Sequence, residues 1–204
     1  MRKYPQLIAA FVLLMTACKK DETTTPTTTP PTTTTSVKTG SVFTYKHSDY
    51  DNDFGTTLVA TTQYTLTMLR DSTIGSDKWF VVERKDNGAL TGYGLMRFTS
   101  GGVYNMTSGG AKMSLKLNAA VNDTWVDNSN QTCVIKSTNQ SVTVPKGNFT
   151  DAYYMESSDA NSLENKIWYN NNEYMLRNEE YDESPITPGT MILDYRDELV
   201  SIQL

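Results

Sequence analysis

The stretch KWFVVERKDNGALTGYGLMRF, residues 78–98, decides the fold class. Its first part, residues 78–84, is rich in aromatic and β-branched residues, which favour strands. Asp86-Asn87-Gly88 follows and is typical of a tight hairpin turn. Residues 90–98 then continue as a second strand, in which Gly92 and Gly94 mark a bulge or bend. The stretch therefore predicts a β-hairpin.

The same pattern continues on both sides of this hairpin. Apolar residues alternate with polar ones, as in Tyr64, Leu66 and Met68, and clusters of Gly, Asn, Asp and Ser separate the runs. Few stretches carry apolar residues at the intervals that are typical of a helix. About a dozen short strands at roughly 10-residue intervals are typical of an antiparallel sandwich or barrel. We predict an all-β fold with a single antiparallel domain over residues 40–204, either a curved sheet or half-barrel, or a sandwich.

The N-terminus has the organisation of a secretory signal peptide over residues 1–17. Arg2 and Lys3 precede an apolar run, residues 7–14, and small residues lead to Cys18. The run is far shorter than the roughly 20 residues that a membrane-spanning helix needs. Thr16-Ala17-Cys18 resembles a bacterial lipobox, which implies that Cys18 carries acyl chains such as palmitate and anchors the chain to a membrane. The alternative is an ordinary signal peptide that is cleaved after Cys18.

The residues after Cys18 carry a second resemblance. Cys18-Lys19-Lys20-Asp21-Glu22 is similar to the start of Bacteroidota-type outer-membrane lipoproteins. This resemblance implies an outer-membrane location, with the cell surface favoured over the periplasmic face. The alternative is a solvated charged spacer.

Residues 18–39 form a linker between the anchor and the domain. Residues 23–35 contain only Thr and Pro, so this part of the chain cannot bury apolar surface, and we expect it to be disordered. In an extended polyproline conformation the linker would reach roughly 65 Å.

Composition argues against several classes of function. The chain has 18 Lys and Arg against 23 Asp and Glu, a net charge of −5, and no basic patch, so we expect no nucleic-acid partner. His47 is the one histidine, and Cys133 is the one cysteine besides Cys18. These two cannot build a transition-metal site, and no nucleophile motif accompanies them. We predict an exposed His47, an inert buried Cys133, no catalytic residues, no cofactor and no enzymatic activity.

One string of acids is compatible with calcium. Asp49, Asp51 and Asp53 alternate and could offer oxygen ligands. An EF-hand loop would need Gly at its sixth position and Glu at its twelfth, where this chain has Phe54 and Ala60. The string is therefore a weak calcium candidate, and the alternative is a solvated hairpin loop.

Two aromatic pairs are candidates for ligand binding. Tyr153-Tyr154 and Trp168-Tyr169 lie in predicted strands, where one member of each pair faces the core and its neighbour faces outward. Exposed rings could stack on sugars or contact a partner. The alternative is that tyrosine simply suits a half-buried strand.

A second hairpin carries a family resemblance. Residues 141–153, SVTVPKGNFTDAY, with the later Ile167-Trp168-Tyr169, resemble secreted lipoproteins marked by a "V-x-V-P-x-G-x-F" hairpin. Some of those proteins resemble the curved half-barrel of lipoprotein-carrier (LolA-like) domains. The resemblance implies a fold and no established activity, so it supplies no catalytic residues.

The sequence thus predicts an outer-membrane-anchored lipoprotein with a non-enzymatic binding, scaffold or envelope role. The first alternative is a carrier of a lipid or another hydrophobic ligand, for which a cavity lined by Leu, Met and aromatic residues would be evidence. The second alternative is a surface glycan-binding module, for which a row of exposed aromatic rings would be evidence. An envelope protein is a further possible partner.

Overall fold

The computed structural model describes residues 37–159, 162–172 and 174–204. These residues lie in one compact unit. They form twelve β-strands and no α-helix, which confirms the predicted all-β class. Within this part of the chain no helix has the length and hydropathy needed to span a membrane.

The strands follow one another with short connections. Their bounds are β1 Val42–Tyr50, β2 Leu58–Ile74, β3 Asp77–Asp86, β4 Ala89–Thr99, β5 Gly102–Thr107, β6 Gly110–Lys116, β7 Thr124–Val126, β8 Thr132–Val144, β9 Gly147–Asp159, β10 Ser162–Asn170, β11 Tyr174–Glu183 and β12 Met191–Gln203.

All twelve strands belong to one antiparallel sheet. Its order is β6-β5-β4-β3-β2-β1-β12-β11-β10-β9-β8-β7, so strands that are consecutive in sequence are neighbours, and β1 pairs with β12. The sheet curls into a nearly closed, barrel-like shape. A seam between β6 and β7 is bridged by the ion pair of Lys116 and Asp123, 2.8 Å apart. The curved single sheet is therefore correct, and the sandwich alternative is wrong.

The hairpin of residues 78–98 forms as predicted. Asp86 pairs with Ala89 across a two-residue turn, and Asn87 and Gly88 have φ of 48° and 82°, as a primed hairpin turn requires. Arg84 pairs with Gly92, while Lys85 pairs with Leu90. Thr91 is therefore an extra residue in β4, and this bulge lies beside the glycine that predicted it.

The core lies inside the curled sheet, where alternate residues of each strand point inward. Its buried members come from both halves of the sheet. They include Phe43, Tyr45, Tyr64, Met68, Phe80, Val82, Val103, Leu115, Ile135, Met155, Tyr169, Tyr174, Leu176 and Leu199. Phe98 contacts Tyr174 with ring centroids 4.7 Å apart, so β4 and β11 meet across the interior.

The β8–β9 hairpin reaches across to β12. Val142 and Val144 are buried at its end, and the backbone N–H of Lys146 donates to the carbonyl of Leu199 at 3.1 Å. Arg177 of β11 also donates to the carbonyl of Thr143. The predicted Pro-Lys-Gly turn is thus confirmed.

Candidate functional site

A cavity of about 200 Å³ lies inside the sheet, and we call it the central cavity. Side chains of β1, β2, β4, β5, β6, β10 and β11 meet there. Most of the lining is apolar and includes Phe43, Leu66, Met68, Met96, Phe98, Val103, Leu115, Ile167 and Met175. Asp127 is the one charged residue of the lining, and its carboxylate accepts hydrogen bonds from the backbone N–H groups of Ser129 and Gln131. The cavity is therefore suited to an apolar ligand.

A second space, a groove of about 430 Å³, lies along β3 and β4, and we call it the inner groove. The two spaces share Leu66, Met96 and Asn105. Gly92 and Gly94 line the groove, and a Cβ atom added to either glycine would have no heavy atom within 4 Å. The groove exists because β4 carries no side chain at these two positions.

The far end of the groove is charged. Arg84 pairs with Asp86 at 2.9 Å, and its guanidinium lies 4.2 Å from the centre of the Tyr64 ring. Both charged residues line the groove. The groove thus runs from a charged end at Arg84 to an apolar end at Met96, a residue that also lines the central cavity.

His47 lies between two carboxylates, and the prediction of an exposed histidine is wrong. Its Nδ1 is 2.7 Å from Asp197 and its Nε2 is 2.9 Å from Asp49, while its ring packs on Tyr195 with centroids 4.9 Å apart. Burial opposes protonation of this ring, but the hydrogen bond and charge of Asp197, together with those of Asp49, outweigh burial and raise the pKa of His47.

Further carboxylates surround this histidine. Burial raises the pKa of Asp197, although His47 lowers it. Burial also raises the pKa of Glu180, with the charges of Asp182, Asp194 and Asp197 adding to the effect. The sequence does not reveal this cluster, because its members lie far apart along the chain. His47 and Asp197, for example, are 150 positions apart.

Perturbed pKa values often mark catalytic groups, but the geometry around His47 is unlike that of a general base. A catalytic triad leaves one ring nitrogen for the nucleophile, whereas both nitrogens of His47 face carboxylates. Neither the central cavity nor the inner groove is lined by His47 or Asp197. The arrangement ties β1 to β12 through the hydrogen bond between His47 and Asp197.

Cys133 is fully buried. Burial raises the pKa of its thiol to about 12, so the thiol stays protonated and unreactive at neutral pH. The buried position agrees with the prediction that the Cys133 thiol is inert.

The three calcium candidates lie in and beside the β1–β2 loop. The Thr57 side chain and the backbone N–H groups of Phe54, Thr57 and Gly55 donate hydrogen bonds to the Asp51 carboxylate, and these bonds hold its pKa well below the usual range. Asp49 is paired with His47. In residues 37–159, 162–172 and 174–204 no three His, Cys, Asp or Glu residues form a group that could hold a metal ion. Asp51 therefore organises the loop backbone.

The aromatic candidates form two stacked cross-strand pairs. Tyr153 stacks on Tyr169 with centroids 5.2 Å apart, and Tyr154 stacks on Trp168 at 4.9 Å. Tyr169 is fully buried and its hydroxyl donates to the Lys116 carbonyl, so Tyr169 is the member of its pair that faces the core. Arg177 lies 5.7 Å from the centre of the Trp168 ring.

Cys18, the lipidation candidate, lies outside the described residues, as do residues 1–36 that hold the predicted signal peptide and most of the linker.

No protein-family model matches the chain, and no curated protein is similar to it in sequence. Two solved structures are similar in fold. A presumed exported protein with a YmcC-like fold from Bacteroides fragilis has a TM-score of 0.49 and 13% identity, over 82% of this chain and 97% of that chain. A presumed lipoprotein from Parabacteroides distasonis has a TM-score of 0.48 and 16% identity, over 81% of this chain and 96% of that chain. At these values neither similarity carries functional information.

Proposed function

We propose that this protein is a lipid-anchored, non-enzymatic carrier of an apolar ligand, such as the acyl chain of a lipid, which lies in the central cavity and the inner groove. The observation that carries the proposal is that these two spaces share the lining residues Leu66, Met96 and Asn105. Ligand sites are typically concave and mostly apolar, with volumes of about 300–1,000 Å³. The spaces of about 200 and 430 Å³ together fall in this range.

The length of the site supports an acyl chain. Gly92 lines the charged end of the groove, and Phe98 lines the cavity. Six residues of a strand span about 20 Å, and an acyl chain spans about 15 Å in one half of a bilayer's hydrocarbon core. Burying the chain removes its CH₂ groups from water, which stabilises the complex by about 0.8 kcal/mol per group.

The outer aromatic residues give less support to glycan binding. Stacking on sugars needs an open ring face, but Trp168 has Tyr154 and Arg177 against its ring. Similarly, Lys166 lies 4.6 Å from the centre of the Tyr181 ring. These rings stabilise the outer face of the sheet through contacts with their neighbours.

Binding of a fluorescent fatty acid, 11-(dansylamino)undecanoic acid, tests the carrier proposal. Gly94→Leu would fill the inner groove without a clash at Cβ, so we expect at least tenfold weaker binding. Leucine is also the better strand residue, so the melting temperature should stay equal or rise. Gly101→Leu, which adds the same side chain to a turn with only an ordinary contact at 3.8 Å, is the matched control. Equal affinity in both variants would contradict the proposal.

The anchor is tested separately. We propose that Cys18 is acylated and holds the protein in the outer membrane, with the cell surface favoured. Radiolabelled palmitate should enter the wild-type protein and not Cys18→Ser, and protease treatment of intact cells should remove the surface-exposed domain. Label that persists in Cys18→Ser would reject Cys18 as the acylated residue.

A further inference from the structure

The backbone of β4 is paired on one side only along residues 89–95. β4 pairs with β3 from Ala89 to Met96, but its ladder with β5 covers only Met96–Thr99, opposite Gly102–Asn105. Residues 89–95 therefore have no sheet partner on the β5 side within the part of the chain that the structure describes. We call this segment the open edge. Backbone N–H and C=O groups at such an edge can pair with another strand.

The open edge lacks charge and proline, two features that normally protect an edge, although the bulge at Thr91 lies within it. Its sequence, Ala-Leu-Thr-Gly-Tyr-Gly-Leu, has no charge and no proline, and Leu90 and Tyr93 are 51% and 62% exposed. The edge strand β6, in contrast, carries Lys112 and Lys116. Proteins commonly use such lysines to prevent unwanted pairing, so the neutrality of the open edge favours an uncharged partner.

Space flanks the open edge on both faces of the sheet, and its lining is mainly apolar apart from Arg84 and Asp86 at the charged end of the inner groove. The inner groove lies on one face, and a second groove of about 350 Å³ lies between β4 and β5, lined mainly by Val81, Tyr93, Leu95 and Met106. Met106 of β5 lines both grooves. Because the side chains of a strand alternate between its two faces, a strand added here would place them in the two grooves in turn.

We propose that the open edge binds an extended, uncharged segment of a partner protein by β-strand addition. Main-chain hydrogen bonds to residues 89–95 would supply affinity, and the two grooves would select apolar or β-branched side chains. The presence of β5 on the far side of the gap favours a single extended segment over a second copy of this chain, whose β4 is already joined to β3. This proposal shares the inner groove with the proposed carrier function, but its test reads the backbone of β4, so failure of one proposal is distinguishable from failure of the other.

Hydrogen–deuterium exchange of the full-length protein in detergent micelles tests the proposal. The probe is a capped octapeptide of alternating threonine and valine, at about 1 mM, a concentration at which weak complexes form. We expect at least threefold slower exchange within residues 89–95 and no change in β6. An octapeptide with the same side chains but N-methylated on alternate residues cannot complete the ladder, so it should give no protection.

Two protein variants complete the test. Tyr93→Lys places a charge at the open edge and should reduce the protection at least threefold. Phe54→Lys changes an aromatic residue with a similar exposure of 65% in a distant loop and should leave it unchanged. Absence of protection with the octapeptide, or equal protection by the N-methylated form, would overturn the proposal. A dimer in sedimentation analysis that Tyr93→Lys abolishes would also overturn it, in favour of self-association.

Discussion

At the scale of single residues, two glycines of β4, which have no side chains, create the space of the inner groove. Val82 of β3 is buried, but the position opposite it in β4 is Gly94, and the space beside that glycine is part of the inner groove. A residue such as leucine at this position would remove that space. The sequence shows the two glycines, but their inward orientation depends on the register between β3 and β4.

His47 gives a pH-dependent contribution to stability. Its pKa is raised in the folded state by Asp197 and Asp49, so the protonated ring stabilises the fold fully below its unfolded pKa of about 6.5. That stability is lost as pH rises through the higher folded pKa. In wild type we therefore expect the melting temperature to fall as the pH rises above about 6.5.

His47→Gln, which cannot carry the charge, is the test variant. It should be less stable than wild type near pH 6 and should show a flatter melting temperature across the same window. Thermal unfolding followed by circular dichroism measures both effects. An unchanged slope in His47→Gln would show that another group controls this pH dependence.

At the scale of elements, alternation of apolar and polar residues predicted strands well. It placed Tyr64 and Met68 on one face of β2, and both are buried. The same alternation could not show that β2 extends over 17 residues, because its first two residues, Leu58 and Val59, are consecutive apolar residues that are both exposed. It also could not predict the pairing of β1 with β12, since Phe43 and Ile202 are distant in sequence and no local turn fixes their register.

The β8–β9 hairpin is held on its neighbours by Arg177. This residue donates to the Thr143 carbonyl and to the buried Glu198 at 3.0 Å. Arg177→Met keeps an apolar stem but leaves both acceptors short of a donor, so we expect a loss of about 1–3 kcal/mol in the free energy of unfolding. Urea unfolding monitored by tryptophan fluorescence measures it.

Arg70→Met is the matched control for this prediction. Arg70 is exposed on β2, and its replacement should change the free energy of unfolding by less than about 0.5 kcal/mol. Equal effects of the two substitutions would mean that Arg177 does not hold the hairpin.

At the scale of the whole molecule, the carrier proposal requires that the curled sheet keep its interior accessible and its seam closed. The seam between β6 and β7 is stabilised from inside by Tyr169, whose hydroxyl donates to the Lys116 carbonyl. Tyr169→Phe removes this donor from a buried position, so it should cost about 1–3 kcal/mol. Faster hydrogen exchange in β6 should accompany the loss.

Tyr153→Phe provides the comparison for the seam, because Tyr153 stacks on Tyr169 but is only half-buried. We expect an effect within about 0.5 kcal/mol and no change in exchange in β6. A larger effect at Tyr153 than at Tyr169 would contradict the role assigned to the Tyr169 hydroxyl.

The identity of molecules bound to the native protein tests the carrier function most directly. The wild-type protein and Gly94→Leu would be purified from their own membranes in detergent, digested to release the domain from its anchor, and analysed by native mass spectrometry. We predict that the wild-type domain retains an acyl-containing molecule of constant mass and that Gly94→Leu retains at least tenfold less of it. A wild-type domain that is empty, or that holds the same amount as Gly94→Leu, would contradict the account.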